Sequence, residues 1–173
     1  MKMNRSFCFS AVALLLGASA ANAHVTLETR QAAHKSSYKA VLRAPHGCSG
    51  SPTLKFRVQI PEGYIGVKPM PKAGWTLDVV RAEAPAAETP HGVAPGLVKE
   101  VAWSGRLPDE HYDEFVLNGT IAADVKPGST LYFKVVQECE KGVDRWIEVP
   151  VQGQAPGELK QPAPALRIVA PAP

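Results

Sequence analysis

Three observations predict an all-β fold, a single-domain antiparallel β-sandwich of immunoglobulin- or cupredoxin-like topology. Apolar and polar residues alternate along seven or eight short runs, Pro and Gly turn signals separate those runs, and no stretch of ten or more residues keeps a helical period. Alternation puts one face of each run in a core and the other in water.

Taken in order, residues 1–23 come first, with basic Lys2 and Arg5, an apolar stretch over 11–20 and small Ala21 and Ala23. These are the parts of an export signal cut after Ala23. The apolar stretch is shorter than the roughly 20 residues a bilayer span needs, so no stable membrane insertion is expected once it is removed. Val25 to Glu28 reads as a short first strand and Tyr38 to Arg43 as the second. Thr53 to Ile60 is the clearest, with every second residue apolar, and Trp75 to Val80 follows. Residues 83–96, rich in Ala and Pro, read as a long connection. Leu97 to Trp103, Glu114 to Ile121, Leu131 to Gln137 and Arg145 to Val151 complete the set. Pro45-His46-Gly47, Pro61-Glu62-Gly63, Ala73-Gly74, Pro95-Gly96, Pro127-Gly128 and Lys141-Gly142 supply the turns. The sandwich is expected over 24–152, and 153–173 reads as a Pro-rich, largely extended tail from which Leu166 to Val169 can dock as an edge strand.

Removing 1–23 from the 173 residues leaves a length suited to one domain. The 19 Lys and Arg fall to 17 without Lys2 and Arg5, against 16 Asp and Glu, so the processed chain is nearly neutral. With no basic cluster interleaved with aromatics, nucleic acid is not an expected partner. Cys8 leaves with the signal, and Cys48 and Cys139, the two remaining thiols of an exported chain, are expected to form a disulfide. Closing a loop of that length contributes roughly 4 to 5 kcal/mol in the chain-entropy picture. A thiolate copper or redox site is the rival, and it lacks a Cys-x-x-Cys spacing.

The cut after Ala23 would leave His24 as the first residue. An N-terminal histidine offers its free amine and its ring Nδ1 in one six-membered chelate. With pKa values of about 7.7 to 8.0 and 6.5, both nitrogens meet little proton competition near neutral pH, and nitrogen ligands of this kind favour Cu(II). A histidine at that position also arises by composition alone, so partners matter. In Asp109-Glu110-His111-Tyr112-Asp113-Glu114, a common type of acidic turn, alternation puts Phe115, Leu117 and Ile121 inside and Glu114 on the other face, where it can reach a metal. Glu110 is the alternative if the register differs. Counting Ile147, Val149 and Val151 as the inner set puts Trp146 and Glu148 on the opposite face. There the Trp146 indole either covers a sheet edge or caps a cation. His34, His46, His91 and His111 fall in loops without a paired spacing, and His46 and His111 are the two candidates for extra ligands. Met70 alone remains for a thioether, which excludes a Met-rich Cu(I) site. No Gly-x-Ser-x-Gly elbow or phosphate-binding glycine loop occurs, and no catalytic residue is assigned.

The segments Ala23-His24-Val25-Thr26-Leu27-Glu28, Val67-Lys68-Pro69-Met70-Pro71-Lys72-Ala73-Gly74-Trp75, Tyr112-Asp113-Glu114-Phe115 and Val136-Gln137-Glu138-Cys139 before Arg145-Trp146 together resemble the YcnI-like family of exported bacterial copper-binding domains. The resemblance covers about residues 24–152. It implies a β-sandwich that binds Cu(II) through an N-terminal histidine, a carboxylate and a tryptophan, carried here by His24, Glu114 and Trp146. The function it implies is periplasmic copper acquisition or delivery, with a second periplasmic copper carrier or a membrane copper transporter as partner. The alternatives are a copper-dependent oxidative enzyme, against which the missing second histidine argues, and an envelope module that binds another protein.

Overall fold

A computed structural model describes residues 24–82, 88–89, 92–93 and 96–171. The export signal expected over 1–23, His91 and most of the connection over 83–96 lie outside the described residues. Two sheets form the sandwich. The first is ordered β1 (Thr26–Leu27), β3 (Ser37–Ala44), β10 (Asp113–Ile121), β5 (Tyr64–Pro69). The second is ordered β13 (Val143–Trp146), β12 (Lys134–Cys139), β4 (Thr53–Gln59), β9 (Val98–Leu107), β6 (Thr76–Arg81). All neighbours within these two sheets are antiparallel. A third, small sheet places β14 (Ala165–Val169) between β11 (Thr130–Tyr132) and β2 (Gln31–Ala33), and its β14–β2 pair is parallel. β7 (Glu88–Thr89) and β8 (Gly92–Val93) form a separate two-residue ladder within the predicted connection.

The period-2 pattern builds the core. Phe56 of β4 and Phe115 of β10 stack across the two sheets with centroids 4.0 Å apart and planes within 5°, and Trp103 and Trp75 pack against Phe115 at 5.4 and 5.2 Å. Buried aromatics each remove a large apolar area from water, so this group dominates the inter-sheet contact. On the outer face of β4, Arg57 spans its two neighbours, pairing with Glu100 at 3.0 Å and Glu138 at 2.9 Å. Cys48 and Cys139 form the expected disulfide, tying the loop after β3 to the end of β12.

Leu166 and Ile168 are fully buried, so the strand expected at an edge is the middle strand of its sheet, and the packed structure runs through the Pro-rich stretch to Val169. The run read as one strand over Leu131 to Gln137 divides at Phe133 into β11 and β12, which pair with different partners. The last predicted strand is corrected more sharply. β13 ends at Trp146, where the Ile147 amide donates to the Arg145 carbonyl at 2.8 Å in a tight turn that breaks the alternation. Trp146 therefore faces inward and is 5% exposed, whereas Ile147, Val149 and Val151, expected inside, are exposed.

Candidate functional site

His24 and Trp146 come together at one edge of the sandwich, beside β1 and β13. Each is the outermost strand of its sheet, and His24 enters just before β1 while Trp146 closes β13. Their rings lie 5.2 Å apart at the centroids with planes inclined by 55°. Among the described residues no hydrogen bond occupies the His24 ring nitrogens.

His24 borders a groove of about 220 Å³ that runs between β1 and the segment leading into β14. Val25, Leu27, Tyr132 and Pro164 give it apolar walls, and Glu148 shares the rim with His24. The backbone of Glu148 is held by Gln161 and Ala163, and one carboxylate oxygen accepts the Gln161 amide at 2.9 Å. This acidic neighbour was not singled out from sequence as a candidate ligand. The signal available was its place two residues after Trp146.

Glu114 faces away from the core, as alternation indicates. It stands in register with Arg43 of β3, which in turn faces Thr26 of β1. Its backbone is thus two strand spacings, about 10 Å, from Thr26. The Tyr112 hydroxyl donates to the Glu114 carboxylate and is itself pushed up to about 12 by loss of solvent around it and by that bond. Arg43 pairs with Glu28 at 3.2 Å beside them. Glu110 and His111 are exposed in the preceding turn. His34 bonds the Val125 carbonyl through Nδ1 at 2.6 Å, which accounts for it as a loop tether. The structure brings His24 and Trp146 together and leaves Glu114 on the neighbouring outer face.

Behind the indole lies a buried polar chain. Trp146 Nε1 donates to Gln137 Oε1 at 3.3 Å, and Gln137 Nε2 donates to the His46 carbonyl and to Thr53 Oγ1, each at 2.6 Å. Among the described residues no group of three or more His, Cys, Asp or Glu side chains is placed to hold a metal. A metal at His24 would therefore have to draw on the backbone amine as well as side chains.

The family model for the domain of unknown function DUF1775 matches residues 24–168. The chain belongs to that family. It is the same family as the YcnI-like one, and the match takes in all but the last residue of β14. No curated protein matches the chain. Among solved structures, the chain is similar to an uncharacterized protein from Nocardia farcinica whose crystal structure reveals an immunoglobulin-like fold, with a TM-score of 0.63 and 20% identity over 85% of this chain and 99% of that one. At that identity the likeness establishes the immunoglobulin-like sandwich, and the site must be argued from its own residues.

Proposed function

We propose that this DUF1775 member is a periplasmic Cu(II)-binding protein that acquires or delivers copper as cargo, using His24 as the first residue of a chain cut after Ala23. The observation that carries the reading is the approach of the His24 ring to Trp146 from the outermost strands of the two sheets. The amine and Nδ1 of His24 form the chelate, and the indole shields one side of it from water. In the uncut chain the His24 nitrogen is a peptide amide, so the chelate exists only after processing. A carboxylate completes a mixed nitrogen and oxygen set that prefers Cu(II) to Cu(I). Reduction of the ion by an external donor weakens the oxygen ligand, and the ion then passes to a softer thioether or thiolate partner, a periplasmic carrier or a membrane transporter.

The oxygen ligand is Glu114 by sequence, with Glu110 its alternative, and Glu148 joins them because it borders the His24 groove. Cu(II) titration of the processed protein separates them. His24→Ala is expected to abolish tight binding, and among Glu110→Gln, Glu114→Gln and Glu148→Gln the true ligand is the one whose loss weakens binding most. Unchanged affinity in processed His24→Ala refutes the site. The apolar groove beside His24 favours one second reading, an envelope module that takes a partner segment there. A processed wild type that binds no copper would support it.

A further inference from the structure

We infer that Gln137 is the positioning residue of the His24–Trp146 site, fixing the indole against the histidine ring through a single hydrogen bond; this rests on the copper reading above. Gln137 sits on the inner face of β12, where the period-2 pattern calls for an apolar side chain, and it is 1% exposed. A buried amide costs free energy unless its donors and acceptor are satisfied, so a leucine of similar size would fill the place more cheaply. What the amide does there is specified by its partners.

The His46 carbonyl is an acceptor only, so the amide nitrogen of Gln137 must face it, and the same nitrogen reaches Thr53 Oγ1. With both donors engaged, Oε1 is turned toward β13. The indole N–H of Trp146 is a donor only and meets that oxygen at 3.3 Å. Register explains the reach. Val135 is directly opposite Trp146 and Gln137 is opposite Asp144, so Gln137 and Trp146 are diagonal neighbours on one face. Trp146 closes a four-residue strand and is followed at once by a tight turn, so strand pairing gives its ring little further restraint. Core packing confines the ring, the bond to Gln137 orients its N–H edge, and His24 meets the same ring with centroids 5.2 Å apart. Gln137 touches no copper ligand directly; it acts through Trp146.

The test uses processed, nitrogen-15-labelled protein and the indole resonances of Trp75, Trp103 and Trp146, the last assigned by its loss in Trp146→Phe. In Gln137→Met the Trp146 indole proton is expected to exchange at least tenfold faster. Trp103, which donates to the Met70 carbonyl, serves as the unchanged control. One equivalent of Cu(II) broadens the Trp146 resonance in the wild type. In Gln137→Met, affinity falls by roughly the 10- to 100-fold typical of groups that orient a ligand shell, and the electron paramagnetic resonance spectrum shifts. Gln137→Glu, whose buried carboxyl holds its proton to donate to the His46 carbonyl while the other oxygen faces the indole, restores most of the protection and the spectrum. Should Gln137→Met fail to fold, Gln137→Leu fills the same place without an acceptor for the indole N–H, and it is expected to show the same loss of affinity. Wild-type copper spectra in Gln137→Met, or in Gln137→Leu if the first variant does not fold, would overturn the role of Gln137 while leaving the copper site standing. A wild type that neither binds copper nor broadens would overturn both.

Discussion

The side chain at position 146 carries two jobs, and its substitutions separate them. Trp146 is buried at the sandwich edge, so Trp146→Ala should cost about 3 to 5 kcal/mol of stability, the usual range for emptying a large aromatic site, read as a lower urea midpoint. Trp146→Phe should cost less, since a six-membered aromatic ring still fills part of the place. His24 is only part-buried, so His24→Ala should leave the midpoint nearly unchanged while Cu(II) affinity falls by more than the roughly 10- to 100-fold that outer-shell changes cost. A large loss of stability in His24→Ala would mean that the ring serves packing.

Among elements, β14 shows where pattern and packing part company. Leu166 and Ile168 alternate as a strand should, but they sit in a Pro-rich stretch that reads as tail, and only their burial between β11 and β2 reveals a core element. Leu166→Ala and Ile168→Ala should each cost about 2 to 5 kcal/mol, whereas a dangling tail would tolerate both. Most other strands were legible because one face is wet and one dry, which is what alternation encodes. β5 was not, since Gly66 takes a φ of +62° and the register against β10 shifts nearby, so Tyr64 and Val67 are buried three residues apart. The inverted face of Trp146 has a local cause too, the turn at Ile147. His24 and Glu114 were visible as chemistry, but the meeting of His24 with Trp146 depends on which edge strands the fold brings together, and no spacing in the chain states that. The disulfide joins such distant elements: Cys48 and Cys139 are separated by 91 residues, and reduction should cost about 2 to 5 kcal/mol, measurable by denaturation with and without reductant.

At the scale of the whole molecule, two buried tyrosines make stability depend on pH. Burial, with Glu28 nearby, pushes the Tyr38 hydroxyl up to about 12 from an ordinary 10.0, and burial raises Tyr64 as well. A raised value means the folded state holds its proton where the unfolded chain releases it. The stabilisation is therefore complete below pH 10 and is lost as pH climbs from 10 to 12, on the order of 2 kcal/mol for Tyr38 alone. Urea midpoints should fall over that window and fall less steeply in Tyr38→Phe. Among the described residues no helix is long and apolar enough to cross a membrane, and the groove beside His24 is the opening next to the proposed copper site. The most direct measurement is Cu(II) titration with electron paramagnetic resonance on protein processed in the periplasm, its mass first shown to begin at His24. One tightly bound copper with nitrogen hyperfine structure that disappears in His24→Ala is the expected result. A correct mature mass with no copper bound would contradict it.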